Sequence, residues 1–162
     1  MGTFTARLYE KDTPITVENF VALAQGTKAT RDPKTKELVN RPLYENITFH
    51  RVLPGVMIQS GDPTGTGSHP CGVKLPDEIL LGLRFDGAGK LAMANTGAPN
   101  SGGCQFFITT QAMRDWNDKY TIFGVVVEGM DAVSKINRVP VHGDIHLQAA
   151  CLLVAGHVAQ ER

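Results

Sequence analysis

Apolar residues at strand and helix spacing predict the first two elements of the chain. Phe4, Ala6 and Leu8 alternate with polar neighbours, and this period of two predicts a strand buried on one face. Residues 14–25 carry apolar side chains at helical spacing, follow a threonine, begin with proline and end before Gly26. The pattern therefore predicts a strand followed by one amphipathic helix of about three turns.

Beyond this helix, short strand-like segments are separated by glycine, proline and aspartate. Residues 27–42 are polar and basic and predict a surface loop. The predicted strands are residues 47–52, 55–59, 90–94, 105–109, 121–127 and 146–154. A second helix is predicted over residues 130–136, where apolar side chains return to helical spacing. Many short strands with two helices indicate an antiparallel barrel or sandwich rather than a doubly wound sheet.

Composition narrows the class of protein. The 162 residues fit a single domain, predicted to span residues 1–162. Sixteen Lys and Arg balance sixteen Asp and Glu, and without a basic run we expect no nucleic-acid partner. The longest apolar run, residues 149–155, is shorter than the roughly 20 residues that cross a bilayer, so no membrane partner is expected. Three widely separated cysteines outside any metal-binding spacing predict reduced thiols and a cytoplasmic location.

Polar side chains interrupt an apolar, strand-forming sequence at residues 49–59. Alternation along one strand would place Phe49 and Arg51 on one face and His50 on the other. Arg51 and Gln59 are hydrogen-bond donors able to address a carbonyl oxygen or an amide nitrogen in a groove. From these residues alone, a structural role for Arg51 remains open, and His50 is better explained as a structural histidine.

A second cluster, residues 92–107, joins two predicted strands through a turn rich in glycine, proline and asparagine. The turn matches neither phosphate-binding glycine pattern and precedes a strand, so phosphate binding is not indicated. Phe106 and Phe107 are adjacent in a strand and must face opposite sides, one into the core and one towards a cover or ligand. An apolar pocket floor is therefore expected here. Neither the serines nor the histidines show a nucleophile or metal-binding arrangement.

Five segments match the motifs of one enzyme family in order and spacing. They are Phe-His-Arg-Val-Leu-Pro-Gly-Val-Met-Ile-Gln-Ser-Gly-Asp at 49–62, Gly-Thr-Gly at 65–67, Ala-Met-Ala-Asn at 92–95, Gln-Phe-Phe-Ile at 105–108 and Phe-Gly at 123–124. From about Gly2 to Cys151 the chain resembles the cyclophilin-type peptidyl-prolyl cis-trans isomerases. The resemblance implies a mainly β fold, a closed antiparallel eight-stranded barrel capped by two helices. The family's first strand should precede Gly2 and is missing here, so we expect an unpaired edge on its usual partner, residues 146–154.

By this resemblance, Arg51 is the catalytic residue, and neither a metal nor a cofactor takes part. A fixed guanidinium can hydrogen-bond to the prolyl nitrogen as the amide twists and its lone pair returns, so no bond need break. The residues implied to bind substrate are His50, Val56, Met57, Gln59, Gly65, Ala94, Asn95, Thr96, Gln105, Phe107, Trp116 and Tyr120. Met57, Phe107 and Trp116 would line the proline pocket, and His50 would form part of the groove wall.

Several positions depart from the family's pattern. Val56 stands where an aromatic side chain is usual, which removes a large apolar wall from the pocket. Without gaps, Asp115 falls at the family's pocket tryptophan, Trp116 at its leucine and Tyr120 at its histidine. A one-residue shift would restore the tryptophan. Because the family's tryptophan is tied to binding of the cyclic peptide cyclosporin, we expect weak cyclosporin binding.

Two functions are consistent with this sequence. The first is an active isomerase of X-Pro bonds that acts on proline-containing peptides and unfolded proteins and assists protein folding. The alternative is a proline-peptide binding module that keeps the groove but turns over weakly. Retention of Arg51, Gln59, Asn95 and Gln105 favours catalysis.

Overall fold

The structure, a computed structural model, describes residues 2–140 and the backbone of residues 151 and 152. It contains two α-helices, one short 3-10 helix and ten strands in this part of the chain. In chain order the elements are β1 (Thr5–Leu8), α1 (Pro14–Gln25), β2 (Thr30–Arg31), β3 (Leu38–Val39), β4 (Ile47–Thr48), β5 (Arg51–Leu53), β6 (Met57–Ser60), β7 (Lys90–Met93), β8 (Phe106–Thr109), the 3-10 helix (Arg114–Trp116), β9 (Ile122–Glu128), α2 (Met130–Asn137) and β10 (Cys151–Leu152).

Helix α1 has the predicted bounds because both of its ends are marked locally. Proline occupies the first helical position, where its missing N–H is not needed. Gly26 ends the helix in the left-handed region at φ 74°, and its N–H donates to the carbonyl of Leu23. A Cβ at Gly26 would also collide with the backbone of Pro42. Position 26 therefore needs glycine both for its backbone angle and for the close approach of the next loop.

Six strands form one antiparallel sheet in the order β1-β9-β7-β8-β6-β5. Two further pairs, β10 with β4 and β2 with β3, are separate two-stranded sheets. In the described residues β1 and β5 are the outer strands of the large sheet, so the predicted closed barrel of eight strands is not confirmed. The mainly β architecture with two helices is confirmed.

Three predicted segments differ from the structure. The prediction of a single strand over residues 47–52 is wrong, because β4 and β5 pair with different strands and the extended conformation is interrupted between them at Phe49 and His50. Phe49 is buried in the main core and does not share the face of Arg51. Residues 27–42 contain the short hairpin β2–β3 rather than loop alone. Of the predicted strand 146–154, only Cys151 and Leu152 lie within the described residues, and they pair with β4.

Side chains on the two faces of the large sheet belong to two apolar clusters. Alternate residues of a strand point to opposite faces, and accordingly Ile58 and Phe106 lie in the main core beneath α1. Their neighbours on the other face form a second cluster, called here the pocket cluster. It consists of Met57, Phe85, Ala92, Phe107 and Ile122. The prediction that Phe106 and Phe107 face opposite sides is confirmed.

The cysteines contradict the prediction of reduced thiols. Cys71 and Cys104 form a disulfide with their Cα atoms 6.4 Å apart, within the usual range for such a bridge. Spacing in sequence could not reveal this pair, because 33 positions separate the two residues and the fold alone brings them together. No helix in residues 2–140 is long and apolar enough to cross a lipid bilayer.

Candidate active site

Strand pairing lines up four side chains across the large sheet. Arg51 on β5 lies opposite Gln59 on β6, and Gln59 lies opposite Phe107 on β8. Phe107 in turn lies opposite Ala92 on β7. Directly opposed residues of antiparallel strands project from the same face. The sheet therefore sets the Arg51 guanidinium, a side-chain amide and an apolar ring side by side.

A chain of hydrogen bonds connects the guanidinium to a neighbouring glycine loop. Arg51 Nη1 donates to Gln59 Oε1 at 3.4 Å, and Gln59 Nε2 donates to Gln105 Oε1 at 2.9 Å. Gln105 Nε2 then donates to the carbonyl oxygen of Gly67 at 2.9 Å. Gln59 and Gln105 therefore hold one another, and Gln59 fixes one edge of the half-buried guanidinium.

Aromatic rings surround Phe107 beside this polar chain. Trp116 and Tyr120 meet the Phe107 ring edge to face, with centroids 5.3 and 5.2 Å away. Phe85 stacks on Phe107 at 5.9 Å. Met57 and Phe107 are almost fully buried, whereas Trp116 and Tyr120 are half-buried. The arrangement is an apolar floor with a partly open aromatic rim, which suits a small apolar ring such as that of proline.

The departures from the family's pattern lie at the edge of this pocket. Val56 is half-buried and packs against the pocket cluster, as does Ala94, which matches the family's pattern. Asp115 is exposed, and its neighbour Trp116 supplies the ring that contacts Phe107. The tryptophan thus joins the pocket cluster directly at its own position, with a carboxylate standing just outside.

Polar groups of the loop that follows β7 make hydrogen bonds within the loop and to the nearby backbone of Lys119. Asn95 Nδ2 donates to the carbonyl of Lys119, and Asn95 Oδ1 accepts from the N–H of Gly97. The Thr96 N–H donates to Ser101 Oγ. The side chain of Asn95 is thus committed to shaping the loop, and contact with a peptide would fall to backbone groups of this segment.

His50 lies beneath the glycine loop. Its ring is buried, and a Cβ placed on Gly67 would lie 3.4 Å from it. The ring nitrogens sit near the Gln105 amide without a hydrogen bond of acceptable geometry to any described residue. Burial lowers the pKa of His50, against the attraction of the Asp62 carboxylate. His50 is therefore a neutral wall under the groove rather than an exposed binding group.

Asp62 organises the loop that carries Gly65 and Gly67, although the sequence reasoning assigned it no role. Its Oδ1 accepts from both the N–H and the hydroxyl of Thr64 at 2.7 Å, and the N–H of Gly65 donates to its backbone carbonyl. Burial raises the pKa of the Asp62 carboxyl, but hydrogen bonds from Thr64 and from the backbone of His69 and Gly67 outweigh it and leave the pKa lowered. The Asp-Pro-Thr-Gly sequence is a turn signal that could have identified this residue.

Comparisons with known proteins point to a single family. A family model described as "Cyclophilin type peptidyl-prolyl cis-trans isomerase/CLD" matches residues 1–155. Peptidyl-prolyl cis-trans isomerase-like 1 of Aspergillus oryzae is 40% identical over a 165-residue alignment, which covers 99% of this chain and 92% of that protein. Peptidyl-prolyl cis-trans isomerase A of Mycobacterium tuberculosis is 43% identical over 139 residues, covering 83% of this chain and 76% of that protein.

A solved structure is also similar. The crystal structure of a Cryptosporidium parvum cyclophilin type peptidyl-prolyl cis-trans isomerase, determined in the presence of the dipeptide Ala-Pro, superposes with a TM-score of 0.75. It is 31% identical, and the match covers 89% of this chain and 84% of that one.

Proposed function

The chain belongs to the cyclophilin-type peptidyl-prolyl cis-trans isomerases, and we propose that Arg51 catalyses rotation about X-Pro bonds held in the groove beside Phe107. The observation that carries this proposal is the row Arg51, Gln59, Phe107 on one face of the sheet. It puts a cation on the same face of the sheet as an apolar pocket lined by aromatic rings. The presence of Ala-Pro in the related Cryptosporidium parvum structure supports a proline-containing peptide as ligand.

The guanidinium acts on the prolyl nitrogen. Amide resonance makes the C–N bond stiff, with a barrier of about 18–20 kcal/mol. When the amide twists, resonance is lost and the nitrogen regains a lone pair that accepts a hydrogen bond. A donor fixed at that nitrogen stabilises the twisted amide more than the planar one, and this difference lowers the barrier.

The neighbouring groups keep one side of the peptide still while the other turns. The pocket cluster with Trp116 holds the proline ring by apolar contact. Gln105 and the loop at Asn95 and Thr96 hold the peptide backbone on the N-terminal side. Because Gln59 already orders the guanidinium, little side-chain freedom is lost when substrate binds. Rotation about one bond then completes the reaction without proton transfer.

The test is the Arg51→Ala variant with a short X-Pro peptide in a protease-coupled assay. Removal of one preorganised donor from a charge-stabilising site costs about 2.7–4 kcal/mol, so kcat/KM should fall roughly a hundredfold or more. Peptide affinity, measured by titration, should change far less. Arg7→Ala is the matched control, since Arg7 is exposed on β1. Full activity in Arg51→Ala would remove Arg51 from the mechanism, and equal losses of affinity and turnover would make it a binding residue only.

The wider role follows from the same chemistry. Unassisted X-Pro bonds isomerise over tens to hundreds of seconds and limit the folding of many chains. We therefore include unfolded, proline-containing proteins among the substrates and assistance of folding as the outcome. We also propose that the protein acts in the cytoplasm. Cell fractionation followed by detection of the protein with an antibody tests this location.

A further inference from the structure

The Cys71–Cys104 disulfide lies against the residues assigned to peptide binding. Cys104 directly precedes Gln105, whose amide is part of the polar chain that ends at Arg51. Cys71 follows the loop that carries Gly67, the residue whose carbonyl accepts the second hydrogen bond of Gln105. The disulfide and this hydrogen bond together close a small ring of chain, from Gly67 to Cys71, across to Cys104 and on to Gln105. Gln105 is therefore linked to both cysteines, to Cys104 through the backbone and to the segment of Cys71 through its hydrogen bond to Gly67.

Other contacts hold both cysteines without the bridge. The hydroxyl of Tyr44 donates to the carbonyl of Cys104 at 2.9 Å, and the N–H of Arg31 donates to the carbonyl of Cys71 at 3.0 Å. Leu75 also pairs with Gly102 in an antiparallel bridge. These bonds do not involve the sulfur atoms, so reduction of the bridge removes none of their donors or acceptors. Reduction should therefore loosen the segment beside Gln105 without unfolding the domain.

The two cysteines are buried in the main core, but the chain on either side of Cys71, residues 68–76, has no helix and no strand beyond one isolated bridge at Leu75. Cys71 and Cys104 are 4% and 3% exposed, and the segment around Cys71 alternates exposed residues with buried ones. A local opening of residues 68–76 would thus give a small thiol or dithiol access to the bridge.

We propose that Cys71 and Cys104 form a reversible thiol–disulfide site that controls peptide affinity through Gln105, an inference that rests on the proposed binding role of that residue. In reduction, a dithiol transfers two electrons and two protons to the bridge. The S–S bond becomes two thiols, and the dithiol becomes a disulfide. Oxidation is the reverse exchange, with a small-molecule disulfide such as oxidised glutathione as the acceptor of the two electrons.

The oxidised form is the state of higher affinity. With the bridge closed, Gln105 is already ordered when the peptide arrives. With the bridge open, Gln105 keeps its hydrogen-bond partners, but the segment that carries Gly67 is no longer tied to Cys104, and part of the ordering of Gln105 is deferred to binding. Immobilising one such side chain changes affinity by roughly two- to tenfold, so reduction should raise KM by about that factor. Gln105 reaches Arg51 only through Gln59, whose backbone is also held in register by the β5–β6 pairing, so kcat should change less than KM and stay within about twofold.

The experiment compares one preparation in two redox states. The protein is equilibrated with oxidised glutathione or with dithiothreitol and desalted, and its thiols are counted by alkylation and mass spectrometry. Kinetic constants come from exchange NMR of an X-Pro peptide, because the coupling protease would itself be affected by reductant. We expect one free thiol per chain when oxidised and three when reduced, a rise in KM with little change in kcat, and full recovery on reoxidation.

Three variants control the comparison. Cys71→Ser/Cys104→Ser should have the KM of the reduced protein in either buffer. Cys151→Ser should respond to redox state as the wild type does, which excludes the third cysteine. The melting temperature is a second readout, and opening a bridge across 33 positions should lower it by on the order of 10 °C.

Two results would overturn the inference. The first is failure of Cys71 and Cys104 to pair at any glutathione ratio. The second is a disulfide that forms and raises the melting temperature while KM is the same in both states, which would make it a structural bridge only. Neither result touches the proposed function. If instead neither redox state catalysed exchange, the proposed function would fail, and the control of affinity would fall with it.

Discussion

The start of helix α1 is held by a carboxylate from a distant part of the chain, and this contact supports a quantitative prediction. Glu78 Oε1 accepts from the N–H of Ile15 at 3.1 Å, and Glu78 Oε2 accepts from the N–H and hydroxyl of Thr16 at 2.8 and 2.7 Å. These are the N–H groups that a capping side chain normally satisfies. Thr13, at the cap position, makes no such bond and donates its hydroxyl to Tyr9 instead. Glu78 is therefore the N-terminal cap of α1.

The cost of its removal follows from these three bonds. Loss of a capping side chain costs about 0.5–2 kcal/mol. Thr16 is fully buried, so its hydroxyl loses its acceptor away from water, which adds a cost of about 1–3 kcal/mol for an unsatisfied buried group. Ile15 is 47% exposed, and water can replace the acceptor of its N–H. The two costs add to about 1.5–5 kcal/mol, and because Glu78 is only half-buried and water enters part of the vacated space, we expect Glu78→Ala to lower the free energy of unfolding by about 2–3 kcal/mol.

Urea denaturation followed by circular dichroism measures this change. At about 2–4 °C per kcal/mol for a chain of this size, the melting temperature should fall by about 4–12 °C. Glu78→Gln keeps an acceptor but loses the charge at the positive end of the helix, and should cost about 1 kcal/mol. Glu18→Ala is the control, because Glu18 is exposed on the same helix, and we expect less than about 0.5 kcal/mol there.

A double-mutant cycle isolates the contact itself. Thr16→Val removes the hydroxyl and keeps the shape, so its effect and that of Glu78→Ala should not add, with a coupling free energy of about 1 kcal/mol. The reasoning is refuted if Glu78→Ala is no less stable than Glu18→Ala, or if the effects of Thr16→Val and Glu78→Ala are additive. Either result would mean that other groups hold the first turn of α1.

Two further predictions concern pH and ligand binding. Burial lowers the pKa of His50 below 6.5 in the folded chain; the Arg51 charge lowers it further, and the Asp62 carboxylate opposes the shift. As pH falls, the unfolded chain therefore binds a proton at this histidine before the folded chain does. The stability contributed by neutral His50 is present above about pH 6.5 and is lost as pH falls below it. The urea midpoint should therefore decrease from pH 7.5 to pH 5, and this decrease should be smaller in His50→Phe. An equal decrease in the variant would contradict the prediction. Cyclosporin should bind weakly, because the exposed carboxylate of Asp115 stands beside Trp116 at the pocket rim and loses water when an apolar ligand covers it. Asp115→Ala should therefore tighten binding by up to about tenfold in calorimetry; nanomolar binding to the unaltered chain would contradict this.

Features with signals inside a few residues were predictable from the sequence. The bounds of α1 match the prediction because its proline and its terminal glycine act on their own turns of chain. The opposite faces of Phe106 and Phe107 follow from strand alternation alone. The grouping of Arg51 and Gln59 was also within reach, since a hairpin of a few residues joins their strands. The family and its activity followed from motifs of this kind.

Contacts between distant segments depended on the folded chain. Glu78 meets Thr16 across 62 positions, and Cys71 meets Cys104 across 33, and no local period encodes either pairing. The prediction from alternating side chains treated the residues around His50 as one strand, but the residues on its two sides pair with two different strands. Hydrophobic period specifies which face of an element is buried, whereas the partner is chosen by packing and hydrogen bonding among all the elements together. For this reason the residues proposed for the site could be named from the chain, whereas the distant groups that support it, such as Glu78 and the Cys71–Cys104 pair, could not.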